Sequence, residues 1–309
     1  MKPIQIFITH YVTKNLIEIN DILVEEIQYL EHTTKYPHET TVVYYDEDRS
    51  TDELYDRLAN LRVKLVKNDR PGRNDIQPSL RNKVIDLVDN DTYFVLLHND
   101  IRITVGWLNN LIDDMIRSEN IYGNGNVVLS PGYIPYHYIG NNGDKSENEN
   151  FVGRYPEFWD DLKKNVMCSN LGQIRKWCKK SNVKFDGINI HSPKNYRGSV
   201  SDDGHQLMMF MSRKKFFDEK LGGIGTCDEN FIGWGYDDQD WGIRALLAGK
   251  KNLQSHGCLI GHITSLTFGN PRVSVPSGND NVFKNKWGSD IYNEMQTGQL
   301  WIRLHNSQR

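Results

Sequence analysis

Three carboxylates, Asp237, Asp238 and Asp240, fall within four positions of one another, directly after a turn built on Gly233, Trp234 and Gly235. The approach to the turn is apolar and aromatic (Phe231, Ile232). The run after it, residues 243–247, has helical character and ends at Gly249 and the basic pair Lys250-Lys251. Glycines let the backbone turn sharply and let a ligand come close. A carboxylate held beside such a turn, at a helix start, is a fixed base facing whatever occupies the cleft. The same acids also complement the dipole of the helix they open, and Asp240 with Arg244 makes an ordinary i,i+4 pair. A second polar group, His98-Asn99-Asp100, ends the apolar run 92–97. Such a run reads as a central strand buried on both faces. Oxygen ligands delivered at its carboxyl end suit Mg²⁺ or Mn²⁺, which take few protein ligands and share the rest with phosphates. Turn capping by Asn and Asp is the plainer reading of the same residues.

The elements that must position these groups alternate. A strand over 4–8 leads to a helix over 16–30, with Leu16, Ile19, Ile22, Leu23, Ile27 and Leu30 on one face. A strand over 41–45 ends in Asp46-Glu47-Asp48, and a helix over 51–61 follows, capped by Ser50 or Thr51. A third strand spans 63–66. After the loop 68–75 comes a helix over 80–88 with Arg81, Asn82 and Lys83 near its start, then the strand 92–97 and an amphipathic run over 108–116. Strand and helix in alternation imply an α/β fold, a parallel sheet with helices on its faces. Ligands sit beyond the carboxyl ends of such strands, where Asp46, Asp48 and the loop 68–75 fall; turn chemistry accounts for the same residues.

The chain has 309 residues, 38% hydrophobic and 25% charged, with a net charge of −3, which is an ordinary globular composition rather than a disordered one. That balance excludes a globally basic nucleic-acid coat. No apolar run approaches the roughly 20 residues of a membrane span, and residues 1–8 lack a signal peptide's apolar core and cleavage site. Four scattered cysteines (Cys168, Cys178, Cys227, Cys258) without CxxC spacing imply free thiols in a reducing compartment. The expected location is cytoplasmic.

Residues 92–100 with Gly106-Trp107-Leu108 resemble the metal-site segment of inverting GT-A glycosyltransferases, family-2-like, in which a strand ends in an Asp-x-Asp-like or Asn-Asn-Asp motif and Gly-Trp-Leu opens the next helix. Residues 223–251 are similar to the later signature of that superfamily: a Gly-Gly-Phe-Asp-like turn, then Trp-Gly-x-Glu-Asp-x-Asp and an arginine. Leu80-Arg81-Asn82-Lys83 resembles the Ala-Arg-Asn-x-Gly helix that precedes the metal strand. The matches come in family order and cover about residues 1–130 and 205–290.

The resemblance implies a GT-A fold: a Rossmann-like mixed sheet flanked by helices in one catalytic domain over 1–290, with an inserted acceptor-side segment at about 133–201 and a tail over 291–309. It implies transfer of a sugar from a nucleoside-diphosphate sugar, a UDP-sugar first, to an acceptor hydroxyl in one inverting displacement. Asp238 would be the base, with Asp237 supporting it or binding the acceptor. Asp46 or Asp48, Arg81, Asn82, Asn99 and Lys286 would line the donor site; Trp234, Gly235 and Tyr236 would meet the acceptor. Asp100, His98 and His262 (His256 as alternate) would hold Mn²⁺ or Mg²⁺. Two positions depart from the pattern. His98 stands where the motif has a carboxylate, which weakens the metal set, and Asp237 is one methylene shorter than the usual glutamate.

The insertion carries Phe151, Tyr155, Phe158, Trp159 and Trp177 around seven lysines and arginines in 163–184 with no acid among them. A solvated face is the ordinary role of such a run; a basic helix beside aromatic rings also suits a phosphate backbone with stacked bases. The acceptor expected is therefore a glycan, with modified DNA as the less favoured class. Lys286 and Trp287, in a segment that resembles a donor-covering loop, are candidates for a lid. A catalytically inactive relative that only binds nucleotide or glycan is the alternative that the weakened metal motif favours.

Overall fold

The structure, a computed structural model, describes residues 2–12, 18–46, 52–70, 77–103, 106–137, 200–201, 207–232, 235–264 and 278–307. Nine strands form one sheet: β1 (Ile4–Val12), β2 (His38–Asp46), β3 (Val63–Lys67), β4 (Tyr93–His98), β5 (Ile101–Ile103), β6 (Val127–His137), β7 (Val200–Ser201), β8 (Phe210–Arg213) and β9 (Lys251–Thr264). The described helices are α1 (Glu18–Thr33), α2 (Asp52–Ala59), α3 (Gln77–Leu87), α4 (Trp107–Tyr122), α5 (Asp237–Leu247), α6 (Asn279–Trp287), α7 (Ser289–Gln296) and α8 (Gln299–Ser307). The strand order is β3-β2-β1-β4-β8-β6-β9-β5, with β7 beside β9. Strands β1 to β4 run parallel, β8 enters antiparallel to β4, and β5 and β7 lie antiparallel to β9. The expected mixed α/β sheet is what the chain forms.

Strand β4 explains where the core lies. Its side chains alternate between two faces, and both are dry: Val95 and Leu97 join one cluster, Phe94 and Leu96 the other. On the first face, Leu23, Ile27 and Leu30 of α1 and Trp107, Leu111 and Met115 of α4 cover the sheet. On the second lie Leu80, Val84 and Ile85 of α3 and Trp241 and Ala245 of α5. A third cluster packs Leu300, Trp301 and Leu304 of α8, with Phe283, against Ile243 and Leu246 on the outer side of α5. Helix α8, which the sequence sets apart in a tail, is thereby bound to the layer that carries the acids.

Two differences from the sequence expectation bear on the site. Strand β1 runs on to Val12, because His10, Tyr11 and Val12 continue the parallel ladder opposite Tyr44, Tyr45 and Asp46. Strands β6 and β9, which no simple alternation marks, pair along their length with a register shift after Pro131. Among the described residues β6 pairs with β8 only at Leu129. The sheet thus takes in residues 133–137 and 200–201, at the two ends of the expected insertion. The basic stretch 163–184 and its aromatic neighbours lie outside the described residues. Cys227 and Cys258 are buried, and no helix among the described residues is long and apolar enough to cross a membrane.

Candidate active site

Parallel pairing brings the carboxyl ends of β1, β2 and β4 to one edge. Thr9 stands opposite His98, and Val12 opposite Asp46. Beyond β4, Asn99 and Asp100 are buried at 8% exposure each. The Asn99 amide Nδ2 donates to His10 Nδ1 at 2.6 Å, and His10 Nε2 lies 3.0 Å from Asn20 Oδ1. An amide nitrogen only donates, so Nδ1 accepts and the His10 proton sits on Nε2, facing Asn20. This buried chain runs from α1 through β1 to the turn after β4. His10 is a site residue the sequence reading missed; a histidine continuing an apolar strand toward the ligand edge was its signal.

Arg81 joins this edge to the acids. It lies on α3, buried to 2% exposure. Its Nη1 donates to Asp237 Oδ2 at 2.7 Å and its Nη2 contacts His98 Nε2 at 3.2 Å. A guanidinium has no acceptor, so His98 Nε2 accepts and the ring holds its proton on Nδ1. Burial opposes the Arg81 charge, but Asp237, then Cys227 and Asp238, more than offset it and raise its pKa. One side chain therefore spans the strand end and the start of α5, reaching an aspartate 156 positions along the chain from Arg81.

Asp238, the next residue, is buried at 6% exposure. Burial first, and the charge of Asp237 second, push its carboxyl up to about 7; Arg81 pulls partly the other way. A carboxylate that changes charge near neutral pH can both take and release a proton, the property a general base needs. Asp240, one turn-face away and fully buried, has a different setting. It accepts from Arg244 Nε at 3.0 Å and from Lys286 Nζ and Trp287 Nε1 at 2.9 Å each. Trp287 and Lys286, the sequence's lid candidates, are engaged here, and Lys286 also bonds Asp228 at 2.6 Å.

Asn82 spends its amide on the loop ahead of the turn. Its Oδ1 accepts from the Cys227 N–H at 2.7 Å, and its Nδ2 donates to the Cys227 carbonyl at 3.0 Å and to Glu229 at 2.7 Å. Gly235 has φ 89° and Tyr236 φ 72°, so the chain enters α5 through two left-handed residues. The Tyr236 ring turns toward Phe283 and Tyr292. Asp48 and Trp234 lie outside the described residues, as do the side chains of Asp46, His256 and His262. The backbone of His262 stands opposite Ile101, one residue past Asp100.

Among the described residues no cluster of three or more His, Cys, Asp or Glu could hold a metal by itself. The set fits a cation that takes few protein ligands and keeps the rest of its shell for phosphate oxygens. Asp100 would be its oxygen donor, and the β5–β9 register puts the backbone of His262 within one residue of it. His98 fits less well, since Nε2 already accepts from a guanidinium whose charge opposes a second cation there.

No protein-family model matches the sequence, and no curated protein does. Among solved structures, the chain is similar to GalNAc-T7 crystallised with UDP, GalNAc and Mn²⁺, at 15% identity and a TM-score of 0.50, over 88% of this chain and 46% of that one. It is also similar to residues 1–349 of S. aureus TarS, at 11% identity and a TM-score of 0.47, over 86% of this chain and 61% of that one. The chain thus spans less than two thirds of either structure's length. The mixed sheet flanked by helices, matched over most of its length, is the GT-A fold.

Proposed function

We propose that the protein transfers a sugar from a nucleoside-diphosphate sugar to an acceptor hydroxyl in a single inverting displacement, with Asp238 as the general base. The observation that carries this reading is the Arg81 bridge. It brings the end of β4, where a diphosphate and its cation would lie, within one side chain of a buried acid pair. A hydroxyl is a weak nucleophile near neutral pH, so its proton must pass to a base as it attacks the anomeric carbon. The Asp238 carboxylate takes that proton, and its raised pKa lets it hold the proton at the operating pH. Arg81 bonds both Asp237 and His98, so the acid pair shares one buried cation. Asp100, with His262, would hold Mn²⁺ or Mg²⁺, which when bound supplies electrostatic stabilisation of the leaving diphosphate.

Donor roles for Asp46, Asp48, Asn82, Asn99 and Lys286, and acceptor roles for Trp234, Gly235 and Tyr236, belong to the same reading. UDP is the nucleotide of choice because the similar GalNAc-T7 structure holds it with Mn²⁺; a glycan is the acceptor of choice, and a cytoplasmic setting is part of the same proposal, supported by four scattered cysteines without CxxC spacing. The test is a screen of UDP-, GDP- and dTDP-sugars for Mn²⁺-dependent release of nucleoside diphosphate, with Asp238→Asn beside the wild type. Release by the wild type and not by the variant is the expected result; equal release removes Asp238 from the reaction. A second reading, a binding-only relative, draws on the guanidinium seated at His98. Calorimetric binding of UDP with no turnover on any donor would establish it.

A further inference from the structure

The hairpin of α6 and α7 grips the turn ahead of α5 at three successive levels. Asn279, at 3% exposure, uses both ends of its amide: Nδ2 donates to the Gly235 carbonyl and Oδ1 accepts from the Ile232 N–H, each at 2.9 Å. These bonds fasten the chain on either side of residues 233 and 234. Tyr236 is the next level. It is the one non-glycine residue with positive φ among the described residues, and its side chain makes no capping bond to α5. Instead its ring packs 5.3 Å from Phe283 and 5.9 Å from Tyr292. Its hydroxyl accepts from Gln296 Nε2 at 3.1 Å and lies 3.4 Å from that of Tyr292, which donates to Asp280. The third level is Asp240, held by Lys286 and Trp287. A left-handed conformation is unfavourable for a residue with a Cβ and persists only where the surroundings over-determine it. Here the ring and hydrogen-bond partners just named all come from the hairpin.

We infer that the α6–α7 hairpin positions the base, with Asn279 and Tyr236 as positioning residues: it sets where Asp237 and Asp238 stand before any ligand arrives. The inference rests on Asp238 as the base. It differs from a donor cover, because the contacts run to the turn and to α5, so its loss acts on kcat rather than on donor binding.

The test compares Asn279→Ala, Asn279→Asp and Tyr236→Gly with Asp238→Asn, by UDP release from a panel of UDP-sugars with Mn²⁺ and by amide hydrogen exchange of the peptide 235–242. In Asn279→Ala, kcat is expected to fall about 10²-fold, the scale of a misplaced catalytic group, with donor KM unchanged and exchange in the first turn of α5 faster. Asn279→Asp keeps the acceptor for Ile232 and recovers part of the loss. Tyr236→Gly relieves the backbone strain yet lowers kcat, because the ring anchor is gone. Unchanged kcat and exchange in folded Asn279→Ala overturn the inference, and so does a loss confined to donor KM. If Asp238→Asn turns over like the wild type, the base assignment fails instead. Exchange alone then decides: faster exchange in Asn279→Ala upholds the hairpin's hold on the turn, and unchanged exchange ends it.

Discussion

Helix α5 carries chemically identical side chains into two opposite settings. On the side facing the C-terminal helices, Asp240 is fully buried and saturated by Arg244, Lys286 and Trp287. Two positions earlier, and so on the other side of the helix, Asp238 is almost as buried but shares one guanidinium with Asp237, and its pKa rises to about 7. Burial is common to both, so partners decide: two cations and an indole make a fixed anchor, whereas a neighbouring anion makes a proton acceptor. The contrast separates the part of α5 that is pinned from the part proposed to react.

The sharpest way to break the contrast is at the reacting side. Asp238→Asn is expected to lower kcat by about 10²–10⁴-fold, the worth of a positioned base, while calorimetric affinity for UDP stays. In the wild type, kcat/KM should fall as pH drops through about 7; a profile flat from pH 5 to 9 would count against Asp238. Next comes the shared cation. Arg81→Met leaves Asp237 buried beside Asp238 without its partner, a loss of about 3–5 kcal/mol for a broken buried pair, seen as a lower urea midpoint. On the anchored side, Trp287→Phe removes one of three donors to Asp240 and should cost about 1–3 kcal/mol. Its effect on UDP affinity should be small if the indole serves α5 rather than the donor.

The smallest effect is a gain. The Asp238 carboxyl has a folded pKa above its ordinary 3.8, so between these values the folded protein binds the proton more tightly. Its stabilising share is complete below pH 3.8 and is lost as pH rises through about 7. Asp238→Asn removes the charge that must be buried at high pH. Chemical denaturation at pH 8 should show the variant more stable by on the order of 1–2 kcal/mol, with the difference shrinking at pH 5. No gain at pH 8 would mean that the carboxylate is better solvated than its surroundings suggest.

Much of this was legible from residue types. An unbroken apolar run ending in His98-Asn99-Asp100 could only be a central strand, and β4 is one, dry on both faces. The turn rich in glycine ahead of three acids announced a helix start, and α5 begins at Asp237. Arg81 and Asn82 stood out through resemblance, but their partners did not. A guanidinium that reaches Asp237 and His98, and an amide that clasps Cys227, depend on α3 lying beside α5 across the sheet, and no local pattern encodes that adjacency. Strands β6 and β9 were hidden for another reason. Prolines and glycines break their alternation, and their pairing is set by each other rather than by a periodic face. Nothing in the local sequence marks Asn279, and only the fold reveals that its amide closes over Gly235.

The union of Arg81 with Asp237 has a kinetic corollary. The first four strands pair among themselves within the first 98 residues and can form early, whereas α5 and β9 must return from farther along the chain, and closing so long a loop is a late and slow event. Until then the guanidinium has no carboxylate and Asp238 has no buried site in which to lose its solvation. A nascent chain with only its amino-terminal half folded therefore lacks the joined site, so under the proposed function the fold itself would delay chemistry until the last strand docks.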